Sequence, residues 1–593
     1  MLRNVIRQSS LRSRPVRSGV LFKQFHQTTY GLQDKKDLNE SIMDKLHLEQ
    51  GPSQTEQNDS TYESYVKYQA MFAGLLVIVG SVGGYEVYRN WEYLRRKIFG
   101  DSYDLSHFDE VYAQIQEKQQ KKKDRLETMN VTLTNPNSSE VPGLYICGDN
   151  SNKMVSSDSK VKFQPIMKRL DIFDKFVARD VVLGESSGAL INKKGDLYQW
   201  GAGFGADSSK PTLKGKDLIK AQISNGVVYA LTKRGEVLYF PESAAQQKEF
   251  GQKEKGWFFS STKKYAKISA KQPIRDISAG KDHIVLLDTK GSVLTAATGL
   301  KTVDKSHGQF GIPEFSQFDA PPAPNTAHEV TLLNKVRENN SVLDREIRKV
   351  VAGNYFTMCL DSLGNIWTFG KNTYGSLGKE VDYNTEIIPY PTKVEMIGKR
   401  FKRSDLPQCV DIAAGGDTAY ASFVSSDIYE LFEKTMKKNK SFDMEKLSDE
   451  QKESLVHFSW GHGLKGELGN GHFVHGQAEP SKIQKLNDLR EFNEVSNKIE
   501  VLGLRGISVG GNHAVATLTN GDVYDWGDNE FGQLGNGKRI RSGVPAPVPS
   551  LLEPGQKKQK STNNRLQLAT TNKYTQVVVA GPTTTAIYYR LRN

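Results

Sequence analysis

Cysteine is scarce in this sequence: 593 residues contain three, Cys147, Cys359 and Cys409, and no C-x-x-C pair. This scarcity excludes a disulfide framework and a zinc site made of cysteines alone. We expect the three thiols to be buried as small apolar groups. A collagen-like glycine period is absent as well, and 37% hydrophobic residues with 25% charged residues exclude a wholly disordered chain.

Motifs for catalysis are also missing. The sequence has no nucleophile elbow, no H-E-x-x-H zinc motif and no evident carboxylate pair. Residues 532–538 have the G-x-x-x-x-G-K spacing of a phosphate loop, but Arg539 stands where that motif requires a magnesium-binding hydroxyl. His462, His472 and His475 are close in sequence without an evident fourth zinc ligand. We predict no enzyme activity, no cofactor and no metal, with nucleotide or zinc binding at these segments as minor alternatives.

Acidic residues are absent from residues 1–33, which contain six Lys and Arg and several Ser. This composition is typical of a mitochondrial transit peptide, and we expect the mature chain to begin near residues 25–34. The alternative is a basic tail that binds nucleic acid. Removal of the six charges leaves +6 of the formal net charge of +12, which weakens the case for a nucleic-acid partner.

An uncharged run of 18 residues between Lys67 and Glu86 predicts one transmembrane helix, at residues 68–88. Aromatic residues flank both of its ends, as expected at membrane interfaces. The alternative is a buried helix of a soluble domain. A polar linker, residues 34–67, precedes the helix. The flanking charges favour a C-terminal body in the matrix, whereas a presequence followed by a stop-transfer helix would place it in the intermembrane space.

The segment after this span, residues 89–139, is polar and helix-prone, and we interpret it as a solvated helical spacer. Its lysine run, Lys121 to Lys123, could also bind lipid or RNA. The sequence therefore predicts an anchor and a spacer ahead of a body that starts near residue 140.

A single template recurs from residue 140 to the end of the chain. It consists of a glycine or small residue, a second glycine eleven positions later, and an aromatic–Gly pair near six positions after that. Three copies are clear, two are worn, one is split by an insertion, and half units lie at Cys147-Gly148 and Ala580-Gly581. The residues assigned to structural positions of this template are Trp200, Gly201, Gly353, Gly370, Trp460, Gly461, Gly510, His513, Trp526 and Gly527.

Each copy predicts short strands joined by tight turns. In Gly364–Gly370 and Gly521–Gly527 an alternating pattern follows a turn glycine, which is typical of a hairpin. Repeated units of this kind suit an all-β propeller. Counting the two half units as one, we predict seven blades over residues 140–593, with Leu144–Gly148 pairing in the blade formed by Val577–Tyr588. Because His283 and His513 recur at one repeat position, we expect them to bond neighbouring strands rather than to act in catalysis.

These residues resemble the regulator of chromosome condensation repeat family. Its signature combines an aromatic–Gly pair, a downstream G-Q-L-G and a later A-G-x-x-H, and the segment DWGDNEFGQLGNG (525–537) is a near-complete match. The segments SWGHGLKGELGNG (459–471) and FGKNTYGSLG (369–378) are similar to it. The resemblance implies a seven-bladed β-propeller that serves as a binding platform, without implying the founding member's activity.

Three insertions interrupt the repeat, near residues 242–272, 300–346 and 427–456. The second contains prolines and a helix-prone end, and the third has a helical pattern. Long loops on a rigid scaffold are common binding elements. In the first insertion, aromatic side chains that could contact a partner or a membrane stand among lysines, with packing back onto a blade as the alternative. The candidate contact residues are Lys255, Trp257, Phe258, Phe259, Lys263 and Lys264.

The whole layout is similar to fungal mitochondrial inner-membrane factors for assembly of ubiquinol-cytochrome c reductase, respiratory complex III. The resemblance implies a noncatalytic, single-pass protein that binds respiratory-complex subunits or other assembly factors. Two other functions remain open: guanine-nucleotide exchange on a mitochondrial GTPase, which members of the repeat family perform, and work on mitochondrial ribosomes or RNA. The residues themselves predict a mitochondrial transit peptide, a membrane anchor and a propeller that serves as a binding platform.

Overall fold

The computed structural model describes residues 88–91, 141–158, 160–250, 252–255, 260–338, 341–395, 407–425, 429, 452–487, 489–493, 497–551, 565–570 and 573–592. Within these ranges no helix has the length and apolar character needed to cross a bilayer. The predicted presequence and linker lie outside them, as do the predicted span and spacer apart from residues 88–91. These four segments therefore remain predictions.

The repeat region forms seven antiparallel sheets arranged as the blades of a propeller. Strands are numbered in chain order, and the first two, β1 (Leu144–Asp149) and β2 (Phe163–Leu170), belong to blade 7. Blade 1 contains β3 (Ala178–Leu183), β4 (Gly188–Asn192) and β5 (Leu197–Trp200). Blade 2 contains β6 (Leu218–Ser224), β7 (Val227–Thr232), β8 (Val237–Pro241) and, after the hairpin β9 (Gln252–Lys255) and β10 (Ser260–Lys263), β11 (Ala266–Ile268). Blade 3 contains β12 (Ile274–Ala279), β13 (His283–Asp288), β14 (Val293–Ala297) and β15 (His328–Glu329).

The remaining blades follow in the same order. A hairpin of β16 (Lys335–Glu338) and β17 (Ser341–Asp344) precedes blade 4, which contains β18 (Ile347–Ala352), β19 (Phe356–Asp361), β20 (Ile366–Lys371) and β21 (Ile387–Lys393). Blade 5 contains β22 (Pro407–Gly415), β23 (Thr418–Ser425), β24 (Val456–Gly461) and β25 (Gln477–Lys482). A hairpin of β26 (Arg490–Asn493) and β27 (Lys498–Val501) precedes blade 6, which contains β28 (Leu504–Val509), β29 (His513–Leu518), β30 (Val523–Gly527) and β31 (Ser542–Pro547). The final strands are β32 (Tyr574–Ala580) and β33 (Thr584–Leu591). Among the described residues, three short α-helices have defined bounds between strands: α1 (Ala244–Phe250), α2 (Thr331–Asn334) and α3 (Gln484–Asn487).

Blade 7 closes the ring by joining the two ends of the repeat region. Its strand order is β2-β1-β33-β32, with Leu144 paired to Tyr588 and Gly148 to Thr584. The first strand of each blade contacts the first strands of its two neighbours, from β3 through β28 to β32 and back to β3. The predictions of seven blades and of this closure are confirmed. Closure leaves no unpaired sheet edge between the first and last blades.

The propeller has two faces, because the strands of each blade alternate in direction. One face carries the turns between first and second strands and the loops between third and fourth strands; we call it the loop face. The other carries the turns between second and third strands and the connections from blade to blade; we call it the turn face. The chain starts β1 on the turn face, at Leu144.

The core lies between adjacent blades, where inward side chains of one sheet pack on the next. In blade 4, for example, Phe369 packs with Val285 of blade 3 and is fully buried. Cys147, Cys359 and Cys409 are also fully buried, as predicted. Burial raises the pKa of each thiol, so none of the three is a reactive thiolate at neutral pH.

The insertions differ in how far the structure describes them. The helix-prone end expected at 300–346 is limited to the single turn α2, which is followed by the hairpin β16–β17. A strand is favoured here because Val336 and the pair Val342-Leu343 are β-branched or apolar residues on either side of two asparagines, a residue type that is common in turns. The helical pattern of 427–456 lies mostly outside the described residues and stays a prediction.

Asp525 of β30 has a carboxyl group buried in the sheet with no hydrogen-bond partner among the described residues. Burial raises its pKa well above the usual range of a carboxyl group. The folded chain then holds this proton to higher pH than the unfolded chain does. The Asp525 carboxyl group therefore lowers the free energy of unfolding by a growing amount as the pH rises from about 4 toward its folded-state pKa.

We expect Asp525→Asn to stabilise the protein by about 1–3 kcal/mol at pH 8, since an amide avoids the cost of a buried charge. The gain should shrink steadily as the pH is lowered toward 4. Thermal unfolding of the full chain and the variant from pH 5 to pH 8 measures both the stabilisation at pH 8 and its decrease at lower pH. Asp196→Asn is the control, because the Asp196 carboxylate accepts hydrogen bonds from the Gly215 amide and the Asn192 side chain, and the amide of asparagine can accept only one of them, so this change should destabilise. A gain that does not change with pH would contradict this account.

Candidate partner-binding face

In blades 1, 5 and 6, a tryptophan of the repeat joins the blade to the loop of the blade before it. The indole Nε1 of Trp526 donates to the carbonyl of Glu467 at 2.7 Å. Trp460 donates in the same way to Ser376 at 2.9 Å, and Trp200 to Met154 at 3.0 Å. All three rings are buried. The aromatic–Gly pair is therefore a joint between blades, and it holds the loop-face loops in place.

The recurring histidines also link blades. His283 in blade 3 bonds through Nε2 to the hydroxyl of Thr357 in blade 4 at 3.0 Å, and His513 in blade 6 bonds to Thr585 in blade 7 at 2.8 Å. Burial lowers the pKa of His513 to about 4, so its ring is neutral at physiological pH. The predicted hydrogen bond is present, but its partner lies in the next blade.

The repeat glycines provide space for these close approaches. A side chain at Gly527 (φ 108°) would place Cβ 2.5 Å from the Asn512 carbonyl oxygen, and one at Gly510 would lie 2.2 Å from the Gly581 carbonyl oxygen. Both positions require a residue without a Cβ atom. The same crowding occurs at Gly201, Gly353, Gly370 and Gly461.

On this framework, the loop face of blades 3 to 5 presents a group of aromatic, imidazole and ammonium side chains. We call it the aromatic–imidazole cluster and define it as His307, Tyr355, Lys371, Tyr374, His462 and His475. The ring centroids of His307 and Tyr355 are 4.6 Å apart, and Lys371 Nζ lies 5.8 Å from the Tyr355 ring. Tyr374 lies 4.7 Å from His462 and 5.1 Å from His475. His475 is exposed and the other five are half-buried.

Hydrogen bonds within blade 4 and between blades 4 and 5 hold the backbone around this cluster. The Asn354 amide nitrogen donates to the Gly416 carbonyl at 2.6 Å, and its side chain donates to the Asp417 carboxylate at 3.0 Å. Lys371 N donates to the Tyr355 carbonyl at 2.9 Å. The cluster is therefore preorganised, which lowers the entropy lost on binding.

Two imidazoles of the cluster have opposite electrostatic environments. The hydrogen bond to the Glu467 carboxylate raises the pKa of His462, whereas burial lowers the pKa of His307. Burial also raises the pKa of the Tyr355 phenol. The surface thus combines His462, whose protonated form is favoured, with His307 and Tyr355, whose neutral forms are favoured.

This arrangement is suited to binding a protein. Half-buried tyrosine and histidine rings supply apolar area with polar edges, which is the composition of binding hot spots. The loop between β20 and β21 of blade 4, which contains Tyr374, also presents Tyr383, which is 94% exposed. The six residues of the cluster include no serine, threonine or cysteine.

Sequence patterns of two families, both described as regulator of chromosome condensation (RCC1) repeat, match this chain. One matches residues 364–421 and 520–558, and the other matches 347–376 and 505–533. This chain carries RCC1 repeats. The match 364–421 begins in the turn before β20 and ends within β23, so one RCC1 repeat covers halves of two blades. This offset is the reason that half units remain for blade 7.

Similarity to known proteins extends beyond the RCC1 repeats. Protein FMP25, mitochondrial, of Saccharomyces cerevisiae is 29% identical over 577 residues, covering 92% of this chain and 90% of that protein. Human E3 ubiquitin-protein ligase HERC2 is 28% identical over 257 residues, which are 37% of this chain and 4% of the ligase. A crystal structure of human WBSCR16 aligns with a TM-score of 0.49 at 16% identity, over 76% of this chain and 100% of that chain.

The segment with phosphate-loop spacing is an ordinary loop of an RCC1 repeat. Gly537 N donates to the carbonyl of Pro165 in blade 7 at 2.8 Å, and Gly532 lies against the same proline. Arg539 lies over the Phe163 ring at 4.1 Å. The loop seals the contact between blades 6 and 7, which leaves it no cradle for a phosphate.

The three histidines considered for zinc are arranged for other contacts. His462 bonds to Glu467, and its ring lies 6.2 Å from that of His475. Among the residues that the structure describes, no group of three or more potential ligands could hold a metal ion. The sequence identified His462 and His475, but missed that they join Tyr374, whose only signal was its place beside the GSLG of an RCC1 repeat.

The predicted contact residues of the first insertion are only partly described. The insertion folds as α1, the hairpin β9–β10 and β11, and it leaves blade 2 on the loop face. Lys264 is exposed. Lys255 and Lys263 lie on the hairpin strands, while Trp257, Phe258 and Phe259 fall outside the described residues. Partner or membrane contact by these residues stays a prediction.

A lateral groove of about 590 Å³ lies between blades 7 and 1. Lys153, Lys168 and Ile172 line its walls, and Trp200 lies at its side. The Arg169 guanidinium, which also lines it, is occupied by Asp174 and by the carbonyls of Val141 and Pro142. The groove therefore presents no free buried charge, and the aromatic–imidazole cluster is the stronger candidate for a functional site.

Proposed function

We propose that this protein is a noncatalytic factor of the mitochondrial inner membrane, whose propeller binds partner proteins during assembly of respiratory complex III. The observation that carries the proposal is the similarity to a yeast mitochondrial protein over 92% of this chain. That similarity must extend beyond the RCC1 propeller into residues before 141, where the sequence predicts a presequence and a membrane span.

The aromatic–imidazole cluster supports the platform part of this proposal. It offers tyrosine and histidine rings on three adjacent blades, held by bonds between the blades. Subunits or other assembly factors are the partners that we propose for it. The complex III role rests on the resemblance in overall layout.

We expect a variant with Tyr355→Ala, Tyr374→Ala and His462→Ala to fold normally and to lose partner binding by at least about 30-fold, the loss of one hot spot of about 2 kcal/mol. In cells of the source organism that lack the chromosomal copy, it should fail to restore complex III on native gels. The wild-type chain should restore it. Phe492→Ala with Ile499→Ala is the matched control, because these exposed side chains lie on the turn-face hairpin β26–β27.

The outcome separates the proposed function from the two alternatives. Normal complex III and intact respiration after deletion would contradict the assembly role. Faster nucleotide release from a mitochondrial GTPase on addition of the purified chain would favour exchange activity, and crosslinked mitochondrial RNA would favour the ribosome or RNA role. Proximity labelling from the C-terminus identifies both the neighbours and the compartment.

A further inference from the structure

The turns between second and third strands carry cations in three consecutive blades of the turn face. Blade 1 has Lys193 and Lys194, blade 2 has Lys233 and Arg234, and blade 3 has Lys290. All five side chains are exposed. We call these five residues the basic arc. Among the other turns of this type that the structure describes in full, those of blades 4 and 6 contain no Lys or Arg.

The basic arc is continuous in space. Each turn bonds to the start of the first strand of the next blade, and that segment bonds to the next turn. A single chain of backbone contacts therefore connects the three turns. The bonds are Leu218 N to Gly195 O at 3.1 Å, Lys233 N to Asp217 O at 2.9 Å, Ile274 N to Gly235 O at 2.9 Å and Thr289 N to Pro273 O at 3.0 Å.

Two carboxylates near the arc have their ion-pair partners outside it. Asp217 pairs with Arg179 at 2.5 Å, and Glu236 pairs with Lys267 at 2.6 Å. None of the five cations of the arc has an ion-pair partner within the described ranges. The hydrogen bond from Arg179 lowers the pKa of Asp217, and the positive charges of Lys233 and Arg234 add to that effect.

Exposed aliphatic side chains continue the arc beyond blade 3. In the turn of blade 4, Leu363 occupies the position of Lys194 and Lys290, and it is 67% exposed. Val342 and Leu343 on the hairpin β16–β17 are 65% and 47% exposed. The hairpin and this turn are linked through Glu346, whose carbonyl accepts a hydrogen bond from Ser362 N at 2.9 Å.

The chain joins the ring beside the first turn of the arc. Pro142, just before β1, accepts a hydrogen bond from Lys175 N at 2.7 Å, and Lys193 N donates to the Val177 carbonyl at 2.9 Å. Pro142, at the start of the described propeller, therefore lies near the basic arc.

We propose that the turn face binds an anionic phospholipid surface, with the basic arc on the headgroup phosphates and the aliphatic side chains at the headgroup boundary. Cations next to exposed aliphatic residues are the combination found in interfacial membrane binding. RNA binding would favour aromatic rings for base stacking, and the four turns at 192–196, 232–236, 288–292 and 361–365 contain none. Lipid contact on this face leaves the loop face free for partners.

A membrane-proximity measurement on the full chain tests the proposal. The native cysteines are buried, so a fluorophore can be attached to a Thr289→Cys residue on the arc or to a Thr302→Cys residue on the loop face; both sites are exposed. The chain is reconstituted in phosphatidylcholine vesicles with or without 20% cardiolipin and a headgroup quencher. We expect quenching at position 289 only, dependent on cardiolipin and lost in about 1 M salt, where the Debye length falls to about 3 Å.

Charge removal provides the decisive comparison. Replacing the five cations of the arc by glutamine should shift the equilibrium between bound and free propeller by at least about 100-fold, since each cation at an anionic surface contributes roughly a fivefold factor. The matched control replaces five exposed loop-face lysines: Lys153, Lys160, Lys162, Lys301 and Lys305. It should leave quenching unchanged.

Three results would overturn the proposal. Equal quenching at positions 289 and 302 would mean that the turn face has no preference for the bilayer. Unchanged quenching in the five-glutamine variant would show that the arc does not bind lipid. Binding of a labelled RNA that needs the arc, without cardiolipin-dependent quenching, would identify the ligand as RNA. The complex III role can fail in its own native-gel test while this binding persists, so the two proposals are separable.

Discussion

Removal of residues 574–593, which contain β32 and β33, is expected to abolish cooperative folding of the propeller. β33 is the central partner of blade 7, since it pairs with β1 on one side and β32 on the other. Without it, the N-terminal strands have an unpaired edge and the ring is open. The truncation also removes Ile587, Tyr588 and Tyr589, which are buried in the core on both sides of the blade. Each such side chain contributes about 1.5–3 kcal/mol, so the loss is comparable to the whole stability of a typical domain.

Circular dichroism and limited proteolysis of the full chain and the truncated chain measure this effect. The matched control ends at Leu591, which keeps both strands and removes only Arg592 and Asn593. A synthetic peptide of residues 573–593 added in trans should restore part of the protection, because it supplies the missing half of blade 7. A truncated chain that unfolds in one transition at an unchanged Tm would show that the ring does not depend on closure.

The number of blades could be predicted from the sequence because each residue type of the repeat template is required by the structure at its position. A turn glycine starts each third strand, and the aromatic–Gly pair ends it where the next loop must pack, as Trp526 and Gly527 show. Half units at both ends therefore predict a shared blade. The side chains that fill worn copies, such as Phe240-Pro241 in blade 2, keep the core apolar without keeping the motif.

The candidate sites were less accessible to sequence analysis because they are formed by loops from different blades. His307 and Tyr355 are separated along the chain, and only the order of blades around the ring brings their rings together. Similarly, Lys194 and Arg234 are each ordinary turn residues within their own repeat. They form one basic surface only because the ring places the turns side by side.

The two faces suggest a division of labour that depends on closure. Bonds from Asn354 to Gly416 and Asp417 hold the loop face, and bonds from Leu218 to Gly195 and from Ile274 to Gly235 hold the turn face. Both sets run between blades, so an open ring would disorganise the proposed partner surface and the proposed lipid surface together. A rigid ring with separate faces could hold a partner at a defined height above a membrane.

Trp526→Ala is expected to cost about 3–5 kcal/mol of stability in the full chain. The ring is fully buried, packs edge-on against Tyr420 at a centroid distance of 6.0 Å, and donates its Nε1 hydrogen to Glu467 of the preceding blade. Gly469 packs directly against the indole, since a Cβ there would lie 2.8 Å from Nε1, and it has a positive φ of 66°. The loop that contains it would have to give up this turn conformation to fill the cavity that the substitution leaves. A large residual cavity is the condition under which truncation is most destabilising.

Urea denaturation at neutral pH, followed by circular dichroism, measures this loss against two controls. Trp526→Phe keeps part of the packing and removes one hydrogen bond, while the Tyr420 hydroxyl still donates to the Glu467 carbonyl. We therefore expect a smaller loss, about 0.5–1.5 kcal/mol. Trp91→Ala removes a tryptophan that is 52% exposed and should change stability by less than about 0.5 kcal/mol. Equal losses for Trp526→Ala and Trp526→Phe would mean that the hydrogen bond dominates. No loss in either would mean that the aromatic–Gly pair is not the joint between blades that the RCC1 repeat geometry implies.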